Sequence, residues 1–176
     1  AIGFDVDPAA VERLRAGHAP VEDISDEVLQ AALAAGLEVT TDEARLGAAD
    51  ALFICVPSPL NRHREPDMSY IEAAAATVRR VVRSGMLVSL ESTTYPGTTD
   101  EELRPRIEKT GLVPGRDMFL VFSPEREDPG NPDFSTRSIP KICGGSTPDC
   151  LEVGLALYRQ VIDRVIEIAD RFRQPG

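Results

Sequence analysis

The sequence predicts an α/β fold built on a doubly wound, mostly parallel sheet. Three observations carry that expectation. Short apolar runs alternate with stretches of helical periodicity along the chain, the pattern of strands linked by crossover helices. One run, ALFICV at residues 51–56, is apolar throughout, as suits a strand buried on both faces. Several runs end in turn formers and polar residues, which puts loops at the carboxyl ends of strands, where open α/β sheets bind ligands.

Taken in order, residues 1–4 form an apolar run that leads into Asp5-Val6-Asp7-Pro8. Pro8 suits the first helical turn with Asp7 as its cap, Val11 and Leu14 make an apolar face, and Gly17 ends it. Residues 25–36 read as a second helix capped by Ser25, with Val28, Leu29 and Leu33 on one face. A short strand at 37–40 and a short helix at 42–46 follow. After the 51–56 strand, Pro57-Ser58-Pro59 and a polar segment at 61–67 lead into a long helix over 69–83. Residues 86–90 are the next strand, 100–109 a helix bent at Pro105, and 119–122 a further strand. A strand at 139–143 ends in Gly144-Gly145, Thr147 caps a helix through Tyr158, and 165–168 is a last strand before a polar tail.

The chain has 176 residues, 42% hydrophobic and 27% charged, enough for one domain with a real core and with no sign of an internal linker. Acidic residues outnumber basic ones 29 to 19, for a net charge of −10, which argues against a nucleic-acid surface. An anionic ligand remains compatible, because helix N-termini and single arginines hold phosphate locally. Cys55, Cys143 and Cys150 have neither disulfide nor metal-ligand spacing and read as buried small residues. No metal site is expected. His18 and His63 stand alone in polar segments. No run approaches the roughly 20 apolar residues of a membrane span, and no stretch reads as a signal peptide, so a cytoplasmic protein without membrane or nucleic-acid partners is the expectation.

Two strand-end loops stand out. After residues 119–122 comes SPEREDPGN, and after 86–90 comes ESTTYPGTT, each a polar loop hung on an apolar strand. On residue types alone the first is either a solvated loop closed by a Pro-Gly turn or part of a site. Two such loops on one edge of a parallel sheet favour the site. Asp5 and Asp7 are likewise open: an acid at a strand tip is the usual partner of a ribose hydroxyl, and both also suit capping and turns.

The strings GFDVD at 3–7, CVPSPLNRHREPDMSY at 55–70, SLESTTYPGTTDEEL at 89–103 and FSPEREDPGNPDF at 122–134 occur in this order. IPKICGG and TPDCLEVGLALY extend them to Tyr158. Together they closely resemble the N-terminal part of the UDP-glucose/GDP-mannose dehydrogenase family, and within it the bacterial UDP-N-acetylglucosamine 6-dehydrogenases. The resemblance implies a Rossmann-like domain, NAD as cofactor, and oxidation of the C6 hydroxymethyl of a UDP-sugar to a carboxylate by two hydride transfers. In the family, a cysteine captures the aldehyde and passes through a thioester that water hydrolyses. Position by position, it implies Asp5 on the adenosine ribose, and Val56, Pro57, Ser58 and Pro59 against NAD, with Ser where the family has Thr. Ser92 and Thr93 would lie beside the nicotinamide, Thr93 orienting a water or an oxyanion. Glu125 would be the acid/base for thioester hydrolysis, and Arg126 and Glu127 would line the sugar-nucleotide site.

The resemblance also implies that residues 1–168 are an incomplete NAD-binding domain and 169–176 a polar tail. The family's first strand and glycine-rich turn would precede this chain. A central helix and a UDP-sugar domain, carrying the catalytic cysteine, a lysine, an asparagine and an aspartate, would follow it. The whole protein would be a homodimer or larger. UDP-N-acetylgalactosamine, UDP-N-acetylmannosamine and UDP-glucose are alternative substrates, and a non-catalytic remnant is the alternative of another class. A Rossmann-type methyltransferase leaves SPEREDPGN unexplained.

Overall fold

The structure, a computed structural model, describes residues 1–21, 24–59, 66–95, 97–124 and 139–168. The chain divides into two compact units, Ala1–Ala49 and Asp50–Gly176.

In the first unit, β1 (Ile2–Phe4) pairs in parallel with β2 (Glu38–Thr40), Ile2 opposite Glu38 and Phe4 opposite Thr40. Helices α1 (Pro8–Arg15) and α2 (Asp26–Ala34) link them. Both helices start where side-chain chemistry dictates. The Asp7 carboxylate accepts the Ala9 N–H at 2.9 Å with Pro8 behind it, and the Ser25 hydroxyl accepts the Val28 N–H at 3.4 Å. Val11, Leu29 and Val39 are buried, whereas Val28 is 60% exposed, so the apolar face of α2 is narrower than its spacing suggests. A short 3₁₀ segment, Glu43–Ala48, follows β2.

The second unit is a five-stranded sheet in the order β3 (Ala51–Ile54), β4 (Leu87–Leu90), β5 (Phe119–Phe122), β6 (Lys141–Gly145) and β7 (Val165–Ile168). The strands thus lie in two sheets, and the larger is mostly parallel. Ile54, Leu90 and Phe122 stand side by side, so the carboxyl ends of β3, β4 and β5 share one edge, as the sequence predicts. β6 runs antiparallel to β5 and parallel to β7. Its amino end, Lys141, therefore lies on that same edge. Relative to the expectation of 139–143, β6 is displaced by two residues. Pro140 has no N–H for a ladder, while Gly144 and Gly145 pair with Phe122 and Val121. A Cβ on Gly145 would meet the Leu151 backbone nitrogen at 2.3 Å, so glycine is what lets the strand run this close to the following helix.

Every residue of β4 is buried, Val88 and Leu90 on one face and Leu87 and Ser89 on the other. Helix α3 (Ser69–Val81) buries Ile71, Ala75 and Val78 at helical spacing and packs on α4 (Arg104–Glu108). Pro105 enters α4 behind a π-helical turn, Thr99–Leu103. A proline cannot donate to the preceding turn, and the looser turn absorbs that loss. Helix α5 (Pro148–Tyr158) is capped by Thr147, whose hydroxyl accepts the Cys150 N–H at 3.1 Å. It lies over β4, β5, β6 and β7.

Candidate active-site edge

The site is built where β3, β4 and β5 end together. The Glu91 and Ser92 N–H groups both donate to the Ile54 carbonyl, at 3.0 and 3.2 Å. The Ser92 hydroxyl donates to the Val56 carbonyl at 2.8 Å and reaches that of Ile54 at 3.2 Å. The loop after β4 is thus tied to the loop after β3. On the other side, the Ser123 N–H donates to the Leu90 carbonyl at 3.0 Å, and its hydroxyl donates to the Ile142 carbonyl at 2.7 Å. Gly97 (φ 103°) turns the chain into the following helix, and a Cβ there would meet the Glu101 carboxylate at 2.9 Å. The Thr98 hydroxyl closes this turn on the Tyr95 carbonyl at 2.7 Å.

Of the residues expected in a site, Val56, Pro57, Ser58, Pro59, Ser92 and Thr93 lie in the two loops that this edge brings together. The Ser92 hydroxyl is committed to backbone carbonyls, while Thr93 is exposed. The Ser58 Oγ and Thr94 Oγ1 atoms are buried with no hydrogen-bond partner among the described residues. Leaving a buried hydroxyl unpaired is costly, so two such groups on neighbouring loops fit a ligand that supplies polar atoms, as the ribose, phosphate and amide groups of NAD do. Asp5 is exposed in the first unit; one carboxylate oxygen accepts the Asp7 N–H at 2.9 Å, and Asp7 is the α1 cap. Asp5 thus helps close a local turn through one of its two carboxylate oxygens. Glu125, Arg126 and Glu127 lie outside the described residues, as does His63.

The sequence reading did not single out a cluster just behind the edge. The Glu91 carboxylate is buried at the end of β4 and takes the Lys141 ammonium at 2.7 Å on Oε2. Its Oε1 accepts the Ser89 hydroxyl at 2.7 Å and, in a very short contact, the Tyr158 hydroxyl. The two hydroxyls lie 2.6 Å apart, so their protons are shared over three contacts. Lys141 also lies 5.6 Å from the centre of the Tyr158 ring, which packs edge-on against Phe53. Burial, and then the Glu91 charge, push the Tyr158 phenol well above its usual range, so it stays protonated. The same two causes push the Cys143 thiol up to about 11. Cys143 and Cys150 are buried as expected, while Cys55 is exposed, because it directly follows β3 at the sheet edge. Among the described residues no group of three His, Cys, Asp or Glu side chains could hold a metal ion, and no helix is long and apolar enough to cross a membrane.

A Rossmann-like edge of this kind is where open α/β sheets hold nucleotide ligands, and comparison with known proteins makes the class specific. Residues 1–162 match the NAD binding domain of the UDP-glucose/GDP-mannose dehydrogenase family, and the chain belongs to that family. It is 33% identical over 162 residues to UDP-N-acetyl-D-glucosamine 6-dehydrogenase of Pseudomonas aeruginosa, a match covering 92% of this chain and 38% of that protein. Protein CapL of Staphylococcus aureus is 34% identical with the same coverage. Among solved structures, the UDP-N-acetyl-mannosamine dehydrogenase Cap5O of S. aureus superposes with a TM-score of 0.87 at 32% identity, over 97% of this chain and 41% of that one. The chain thus spans about 38% of the length of these curated relatives.

Proposed function

We propose that this chain is the NAD-binding part of a UDP-N-acetylhexosamine 6-dehydrogenase, with UDP-N-acetylglucosamine as its substrate. The observation that carries the reading is the match over 92% of the chain to a relative of that name, together with two hydroxyls, unpartnered among the described residues, on the sheet edge where a cofactor would lie. NAD, when bound, accepts hydride from the C6 carbon. Val56, Pro57, Ser58 and Pro59 would line it and Asp5 would meet its adenosine ribose. Ser92, tied to the Val56 carbonyl, fixes the turn from which Thr93 would hold a water or an oxyanion. Glu125 would take a proton from the hydrolytic water, and Arg126 and Glu127 would hold the sugar nucleotide, Arg through its planar fork of donors. The assembly proposed is a homodimer or larger. The likeness to Cap5O supports a second reading, the same chemistry on UDP-N-acetylmannosamine.

The test is NADH formation by the full-length protein with each of the four UDP-sugars. The expected result is the highest kcat/KM for UDP-N-acetylglucosamine. A preference for UDP-N-acetylmannosamine would select the second reading, and no NADH with any of them would overturn both. In the same assay Glu125→Gln keeps the shape but loses the proton acceptor. Steady-state turnover should fall about 10²–10⁴-fold with KM little changed. Full turnover, or a defect in KM alone, would remove Glu125 from that role.

A further inference from the structure

The cluster behind the edge holds more charge than packing requires. Glu91 and Lys141 side chains are only 8% and 11% exposed. A buried ion pair roughly breaks even against an apolar pair of the same volume, so stability alone is a weak reason for one here. Its geometry does something else. Three donors from three elements converge on one carboxylate: Ser89 of β4, Lys141 of β6 and Tyr158 of α5. That fixes the side chain of the residue whose backbone N–H, with that of Ser92, sits on the Ile54 carbonyl. Thr93 and Thr94 follow with no other regular structure to hold them. We propose that Glu91, clamped by Lys141, Tyr158 and Ser89, is the positioning residue for the hydroxyl turn Ser92–Thr94, setting where Thr93 meets the reacting groups. The proposal rests on the dehydrogenase reading above. Tyr158 itself is 3% exposed, and its raised phenol keeps its proton, so within the cluster it serves Glu91 as a hydroxyl partner.

The test uses the full-length protein and the double variant E91M/K141M, which removes both charges at similar volume and leaves the Ser89–Tyr158 contact. A purely structural role predicts a double variant that melts no lower and works as well as the unaltered protein. The positioning role predicts the same melting temperature but a kcat lower by about 10–100-fold, the cost of misplacing a reacting group by about an ångström. It also predicts amide hydrogen exchange at Glu91 and Ser92 faster by about tenfold or more, reporting the loosened bonds to Ile54. Turnover and protection must fall together; either one falling alone, or neither, overturns the proposal. If the double variant does not fold, Tyr158→Phe decides. That variant removes one donor and no charge, and an unchanged kcat and unchanged protection would overturn the proposal. If the unaltered protein oxidises no UDP-sugar, the dehydrogenase reading fails on its own, and the exchange measurement alone decides whether Glu91 holds the turn.

Discussion

Two ion pairs of nearly identical length occupy opposite kinds of place in this molecule. In the first unit Arg45 grips Glu38 through two bonds of 2.8 Å, with side chains 49% and 39% exposed. In the second unit Lys141 meets Glu91 at 2.7 Å, with side chains 11% and 8% exposed. By geometry the exposed pair is the better made, being bidentate. By environment it is the weaker, because water screens it and two long side chains lose freedom to form it. The buried pair has surrendered its hydration, so each charge depends on the other and on the hydroxyls around it. Distance does not rank these contacts; what surrounds them does. That is why the pair that organises the sheet edge is the one out of water.

The largest expected effect comes from breaking the buried pair on one side only. Lys141→Met leaves the Glu91 carboxylate buried with two hydroxyl donors and, among the described residues, no cation. The expected loss is about 3–5 kcal/mol of unfolding free energy, read from urea denaturation at neutral pH. Adding Glu91→Met should return most of it, a non-additivity that a double-mutant cycle measures directly. A loss below about 1 kcal/mol in the single variant would mean that the buried pair behaves like a surface pair, and the contrast would collapse.

A second effect, somewhat smaller, probes the same dry environment with a different group. Cys143 is fully buried in β6, and its thiol is raised to about 11, by burial first and by Glu91 second. A thiol whose folded value lies above its unfolded value of about 9 favours the folded state only while protonated. Its contribution is therefore complete below pH 9 and is lost as pH rises towards 11. With a shift of roughly two units, the loss is of order 2–3 kcal/mol. Urea midpoints of the native protein should fall across that window, and those of Cys143→Ala should start lower and fall less. Equal slopes would show that this part of β6 is wetter than its packing implies.

The contrast also marks what the sequence could and could not tell. Elements with local causes were legible where they lie: the caps at Asp7, Ser25 and Thr147, the run of β4, and the carboxyl ends of β3, β4 and β5 on one edge. The two loops at that edge were legible because hydroxyls and turn formers follow apolar runs. The Glu91 cluster was not. Lys141 is 50 residues from Glu91 and Tyr158 is 67 residues away, and no local period connects them. Only the antiparallel course of β6 brings Lys141 to the edge, and a reading of successive strands as parallel hides it. The exposure of Cys55 and Val28 was missed for a related reason: apolar type marks what can be buried, and only the tertiary arrangement decides what is.

The smallest expected effect completes the comparison at its exposed end. Arg45→Gln removes the cation but leaves a side chain of similar reach that can still meet Glu38. The guanidinium holds the Glu38 carboxyl below the usual carboxylate range, mainly through its hydrogen bonds and then through its charge. The sign follows from that direction. Whatever the pair contributes is present above the unfolded value of Glu38 and is lost as pH falls through its lower folded value, so neutral pH is where any difference must appear. Both partners stand in water, whose high dielectric weakens their attraction and whose added salt weakens it further. Urea midpoints of Arg45→Gln and the native protein should therefore coincide at pH 7 in moderate salt, with at most a small gap at low salt that closes on acidification. A deficit at pH 7 matching that of Lys141→Met, unaffected by salt, would mean that bidentate geometry outweighs exposure. The ranking of the two pairs would then have to be reversed.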